Sequence, residues 1–344
     1  MSLKDTVLLM LEQEKDKALS GQEIADTLHV SRAAVWKAIN SLKSMGYEID
    51  ATSNKGYCLK KSPDHLSEAF IEDGLKESIT CYEATGATFA IKVLDETPST
   101  NEELKYYVSQ GENRDFVLIA NHQTKGKGRR GRSFYSPAGT GLYLSFLLHP
   151  DMTPDEAPML TTLAATATAV AIDRVCDQKT GIKWVNDIYL NQHKICGILT
   201  EASFSMEEKK LQYVIVGIGV NVYEPEGGFP EEIRQIAGSI FDTNKKPENL
   251  RNRLSVAIVQ EFLKYYMDYK QKTYFSVYRE KSLVLGREIL VLPPGLHGAD
   301  LKGDMTDLGK PALALSIDDE CHLKVQYKDG RTEVLSNGEI SIKL

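Results

Sequence analysis

The residues best placed to do chemistry are Gly126-Lys127-Gly128-Arg129-Arg130-Gly131-Arg132. With Lys125 they set five cations in eight residues, and there is no acid anywhere between Phe116 and Pro150. Three glycines let the backbone bend and approach a ligand, while the charge suits a phosphate or a carboxylate. The spacing satisfies G-x-G-x-x-G and resembles a P-loop with Arg132 where lysine belongs. Both readings are set aside, because each needs a following helix to receive the phosphates. Ser136-Pro137-Ala138-Gly139 and a strand pattern follow instead. A nucleic-acid patch is the alternative for so basic a run, but its place after an apolar strand and among glycines favours a ligand loop.

Two further blocks carry polar groups into apolar surroundings. Gly181-Ile182-Lys183-Trp184-Val185-Asn186-Asp187 leads to His193-Lys194-Ile195-Cys196-Gly197, where Lys194 enters a strand beside a glycine. A buried lysine is costly unless an anion meets it, so Lys194 is a candidate anion holder, although read alone an ordinary edge-strand lysine is the better account. Ser99, Thr100 and Asn101 stand at a helix start, where side chains and free amides can hold a polar ligand; by themselves they amount to a helix cap.

These blocks must be positioned by elements that the rest of the chain supplies. Its 344 residues allow two or three domains, and 42% hydrophobic with 26% charged residues is ordinary soluble usage. The apolar stretch Ala157 to Ile172 is short of a membrane span and runs into Asp173 and Arg174, so it reads as a buried helix. No signal peptide and no membrane partner are expected. Five scattered cysteines without zinc spacing suit a reducing cytoplasmic setting, and no protein-held metal is expected. A net charge of −7 requires any DNA binding to come from a local basic face.

Residues 3 to 60 supply one. Amphipathic helices around Leu8 and from Gln22 to Leu28, a turn at His29-Val30, a helix capped by Ser31 and stopped by Gly46, and a hairpin around Ser53-Asn54-Lys55-Gly56 read as a winged helix-turn-helix. No acid lies between Asp26 and Glu48, while Arg32, Lys37 and Lys43 fall on the third helix. Ser31, Arg32, Lys37 and Asn40 are the expected DNA contacts, and a homodimer is expected to meet two half-sites. A small protein-interaction domain with a solvated basic helix is the competing account.

Beyond Pro63 a linker with a short helix is expected, with a second domain from about Cys81. Strands are expected at Phe89 to Leu94, Phe116 to Ala120, Leu142 to Leu148, Gly181 to Trp184, Asp187 to Asn191, Ile195 to Ala202 and Leu211 to Val222. Helices are expected at Ser99 to Gln110, Pro154 to Asp177 and within Glu248 to Lys281. That clustering is α+β with a mixed or largely antiparallel sheet. From Arg287 onward, short strands with Pro294-Gly295, Asp329-Gly330 and Asn337-Gly338 turns read as a small β-barrel.

Together, the Gly-Lys-Gly-Arg-Arg-Gly-Arg loop, Lys183-Trp184-Val185-Asn186-Asp187 and Gly217-Ile218-Gly219-Val220-Asn221, preceded by a winged helix, resemble the bifunctional biotin operon repressor and biotin-protein ligase family, BirA. The resemblance covers essentially the whole chain. It implies a DNA-binding domain at 1–63, a linker at 64–80, a class II synthetase-like mixed-sheet ligase domain at 81–285 and an SH3-like barrel at 286–344. It implies ATP with Mg²⁺ carried on the nucleotide, biotin as substrate, and biotinyl-5'-AMP as intermediate and corepressor. The implied partners are a biotin carboxyl carrier protein, operator DNA and a second copy of the chain.

Carried over by position, Ser99, Thr100, Asn101 and Gln123 match contacts to the biotin ureido group and ring. Gly126, Lys127, Gly128 and Arg129 match the biotin loop, with Arg129 retaining the adenylate. Lys194 matches the lysine on the biotin carboxylate and, with Arg129, is the catalytic candidate. Arg130, Arg132, Asn186, Asp187 and Asn221 fall on the nucleotide side. Val185 stands where the family usually has proline, and no tryptophan follows Asn221 to stack on adenine. A catalytically silent ligand-sensing transcription factor, or a ligase for lipoate or another short carboxylate, are the alternatives.

Overall fold

Serine caps and helical spacing build the N-terminal unit from α1 (Leu3–Gln13), α2 (Gly21–Thr27) and α3 (Arg32–Ser44), followed by the hairpin β1 (Glu48–Thr52) and β2 (Gly56–Lys61). Ser2, Ser20 and Ser31 each accept a helix-start amide, and Gly46, at φ 91°, supplies the left-handed turn after α3. Val7, Leu11, Ile24, Val35, Ile39 and Leu42 close a core of their own. The computed structural model describes residues 2–52, 56–205, 207, 210–242, 246–292, 309–336 and 339–341. The hairpin tip Ser53-Asn54-Lys55 and the Pro294-Gly295 and Asn337-Gly338 turns lie outside them.

The expected linker is a correction. Helix α4 (Glu68–Glu83) runs through it and through Cys81, burying Ala69, Ile71, Leu75 and Tyr82. Glu, Asp and Lys on its outer face masked an apolar stripe at helical spacing. Even the residues before it are fixed: Asp64 takes the amide and Nε of buried Arg251 at 2.8 and 3.2 Å, and the Tyr223 hydroxyl at 2.7 Å.

The central unit continues with β3 (Phe89–Thr97), α5 (Thr100–Ser109), β4 (Asp115–Gln123), β5 (Gly141–Leu148), α6 (Ala157–Cys176), β6 (Gly181–Lys183), β7 (Asp187–Leu190), β8 (His193–Ser205) and β9 (Lys210–Asn221), then α7 (Leu250–Met267) and α8 (Tyr274–Glu280). The seven strands lie in the order β3-β4-β5-β9-β8-β7-β6, with only β3 and β4 parallel. One face carries α6, α7 and the main core, including Val117, Leu144, Phe146, Val216 and Phe262. Helix α6 is long and apolar enough to cross a membrane by length and composition, and it is buried in this core.

The opposite face is only half covered. There Leu104 of α5 packs on Phe116, Leu118, Leu147 and Ile215. At the N-terminal end of α5 the sheet turns to small residues, and because alternate positions share a face Ser145 on β5, Gly217 and Gly219 on β9, and Gly197 on β8 fall together, paired in register. After α8, strands β10 (Glu288–Leu292), β11 (Lys310–Ile317), β12 (Leu323–Tyr327), β13 (Thr332–Leu335) and β14 (Glu339–Ser341) form a separate antiparallel sheet in the order β13-β12-β11-β10-β14.

Candidate functional site

The glycine-floored part of the sheet is the base of a cavity. Its lining includes Ser99, Thr100, Asn101, Gln123, Lys127, Gly128, Arg129, Asn186 and Lys194, so nine of the expected residues meet in one place. Bare backbone is what keeps it open. A Cβ at Gly219 would lie 2.5 Å from the Phe134 ring, and one at Gly197 would lie 3.3 Å from Lys194 Nζ. Phe134, Ile198, Leu199 and Ile218 complete an apolar slot.

One end of the slot is polar. Gln123 Oε1 accepts from the Thr100 amide and hydroxyl at 2.9 and 3.2 Å, and Gln123 Nε2 donates to Ser136 Oγ at 3.0 Å. Ser145 Oγ lies 2.6 Å from both Thr100 Oγ1 and Asn101 Oδ1, and Asn101 Nδ2 donates to Glu201 Oε2 at 2.8 Å. Ser99 occupies the N-cap position of α5, yet its side chain makes no cap bond. The cap account therefore fails for Ser99, whose buried side chain lines the cavity instead.

The other end is charged. The basic loop is closed on itself by Gly128 N to Arg132 O at 2.7 Å and Phe134 N to Gly126 O at 2.8 Å, with only a single turn of 3-10 helix at Arg129–Gly131. No helix receives phosphates here, as the rejected P-loop would have required. Arg129 Nη1 donates to Asn186 Oδ1 at 2.8 Å, Asn186 Nδ2 donates to Asp187 Oδ1 at 3.0 Å, and Asp187 Oδ1 meets Lys194 Nζ at 2.7 Å. Burial pulls the Arg129 guanidinium below its usual value, against the pull of Asp187. Lys127 is paired with Glu102 at 2.8 Å.

The remaining expected residues sit around this cavity. Gly126 is buried against Gln123 and Ser136, Arg132 closes the loop through its backbone, and Arg130 stands exposed at φ 57°. Asn221 does not line the slot. Its Nδ2 holds the Gly238 carbonyl at 2.9 Å, and the strap 236–238 is bonded on its other side to the Lys194 backbone.

Sequence reasoning missed Phe134, Ser145 and the glycine floor. The period-two glycines of Gly217-Ile218-Gly219 were the available signal, since a strand that drops its side chains on one face invites a ligand or another backbone. It also passed over Lys183, whose amine burial pushes below the usual lysine value while Asp187 holds it up. Among the described residues one cluster could ligate a metal, Asp318, Glu320 and His322, and it lies in the turn joining β11 to β12 of the C-terminal sheet.

On the winged unit, Ser31, Arg32, Lys37 and Asn40 are all exposed on α3, and Arg32, Lys37 and Lys43 have no ion-pair partner among the described residues. Ser31 Oγ accepts from the Ala34 amide at 3.2 Å, so its cap role is real and its hydroxyl proton points elsewhere.

Comparison with known proteins agrees with this arrangement. Residues 93–221 match the model of the biotin/lipoate A/B protein ligase family, and residues 4–58 match a helix-turn-helix domain. A Bacillus subtilis protein, bifunctional ligase/repressor BirA, is 34% identical over 336 residues, 97% of each chain. The Escherichia coli protein of the same name is 29% identical over 80% of this chain and 85% of its own. The structure of an Aquifex aeolicus biotin protein ligase with biotin and ATP superposes with a TM-score of 0.55 at 27% identity, covering 73% of this chain and 97% of that one.

Proposed function

The chain belongs to the family of bifunctional ligase/repressor BirA proteins, and from that premise we propose that it joins biotin to ATP, giving biotinyl-5'-AMP and pyrophosphate, and passes the biotinyl group to a lysine of a biotin carboxyl carrier protein. The same chain, loaded with the adenylate, represses transcription as a dimer on operator DNA. The observation that carries the reading is the convergence of Lys194 and Arg129, through Asn186 and Asp187, at the mouth of an apolar slot whose far end is polar.

The slot fits the substrate's two chemistries. Ser99, Thr100, Asn101 and Gln123 offer donors and acceptors to a ureido group, and the glycine floor and Phe134 offer apolar surface to a flat bicycle. A dithiolane ring offers no hydrogen bond to the buried Ser99 hydroxyl, which makes no cap bond, whereas a ureido group does, and this favours biotin over lipoate. Gly126, Lys127 and Gly128 close over the bound acid.

In the first step a biotin carboxylate oxygen attacks the α-phosphorus of ATP and pyrophosphate leaves. Two anions approach each other, so the step is slow unless cations offset the repulsion. Lys194 holds the carboxylate, and Arg129 with Arg130 and Arg132 faces the phosphates, with Asn186, Asp187 and Asn221 on the nucleotide side. Mg²⁺ carried with the nucleotide would offset the charge of the phosphates. In the second step the carrier amine attacks the acyl carbon and AMP leaves, with Lys194 and Arg129 stabilising it.

Repression follows by linkage: the retained adenylate orders the loop and favours the dimer, which sets two α3 helices against successive half-sites. A cytoplasmic setting, and closure of the C-terminal sheet into an SH3-like barrel, complete the reading. Incubation with biotin, Mg-ATP and a carrier domain is expected to add one biotinyl group by intact mass. No addition, or equal transfer of lipoate, would refute it; catalysis without adenylate-dependent association in sedimentation would remove the repressor half.

A further inference from the structure

The chain has two tryptophans and buries only one. Trp184 is 4% exposed, with its indole donating to the Cys321 carbonyl at 2.9 Å, whereas Trp36 keeps 57% of its surface in water on α3. Trp36 stands outside the apolar core of the winged unit. Its neighbours one turn either way along the helix are Arg32 and Asn40, with Lys37 beside it, and no acid lies between residues 27 and 47. A large apolar ring set among unpaired cations and an amide is a surface for a polyanion that also displays apolar groups, and the charge disfavours a protein partner with an ordinary mixed surface.

We propose that Trp36 reads sequence in the operator by packing on thymine C5-methyl groups in the major groove, between the base-edge reach of Arg32 and Asn40. A helix in the major groove of stacked duplex meets base edges, and the apolar group displayed there is the thymine methyl. Stacking on a base face would need an unstacked step, which a helix seated in the major groove does not create. This inference rests on the operator-binding reading and assigns it a specificity residue.

The test uses the full-length protein with biotin and Mg-ATP to select a duplex from a random-sequence library, and then measures affinity for that duplex by fluorescence anisotropy. Each half-site thymine is replaced in turn by deoxyuridine, which removes only the methyl. At one thymine per half-site the wild type is expected to weaken roughly fourfold per methyl lost. Trp36→Ala is expected to weaken at least about tenfold on the thymine duplex, to ignore the uracil replacement, and to keep the wild-type salt slope, since no phosphate contact is lost. Trp36→Phe should keep part of the discrimination, and unchanged thermal midpoints show that both variants fold.

Full affinity in Trp36→Ala, or undiminished sensitivity to the methyl, overturns the proposal. A library that yields no enriched duplex with wild type overturns the operator reading itself, which separates the two failures.

Discussion

The molecule holds two groups of cations and treats them differently. On α3, Arg32, Lys37 and Lys43 face water with no carboxylate near enough to pair among the described residues. At the ligase cavity Lys127, Arg129 and Lys194 are already engaged by Glu102, Asn186 and Asp187. A DNA surface works by neutralising phosphates and releasing their counterions, so pre-pairing its cations would cancel the effect. A catalytic site needs its charges fixed before the transition state forms, and the internal partners hold them in place. The same residue types thus serve one region as waiting charge and the other as a positioned charge.

The largest effect that tests this contrast lies at the positioned end. Lys194→Ala is expected to slow adenylate formation by about two to three orders of magnitude in pyrophosphate exchange. A loss of only a few-fold would mean that Lys194 is the plain strand lysine its sequence context allows. Next, Arg129→Gly removes the donor to Asn186 and is expected to speed adenylate release roughly 10–100-fold. Lysines of bystander proteins would then be labelled, and labelling confined to the carrier would count against the role given to Arg129.

At the waiting end the expected change is electrostatic and uniform. Lys37→Ala combined with Lys43→Ala removes four cations from the dimer and should lower the slope of log K against log salt for duplex DNA by about three to four, leaving pyrophosphate exchange unchanged. If the slope stays the same, α3 does not lie against phosphates.

Much of this arrangement was legible before the fold was known. Seven strands and the winged helix follow from period-two and helical apolar spacing, and the loop was visible as charge without acids. The site was legible as three separate blocks, but not as a cavity, because what joins them is register: Gly197 opposite Gly219, and Ser145 opposite Gly217. Ser99 looked like a cap because its type and place are those of one, and only the missing bond shows otherwise. Helix α4 was misread because its apolar face is diluted by Glu, Asp and Lys. Asn221 is read from its motif as lining the nucleotide side, and its side chain braces the strap that Lys194 also holds.

The smallest expected effect bears most directly on what pre-pairing does. Hydrogen bonds from Lys105 and then Lys127 hold the Glu102 carboxyl below its ordinary value of 4.5. A carboxylate depressed in the folded state stabilises above its unfolded pKa and loses that contribution as pH falls through the folded one. Glu102→Gln should therefore lower the thermal midpoint slightly at neutral pH, and the difference should vanish under acid. Because the pair is partly exposed, the change in KM for biotin is a few-fold at most. Its sign is informative. If Glu102 positions Lys127, releasing the lysine loosens the loop and raises KM with kcat unchanged. If instead the substrate must break the pair, Glu102→Gln lowers KM, and the ligase cations would be waiting charges like those on α3, merely covered.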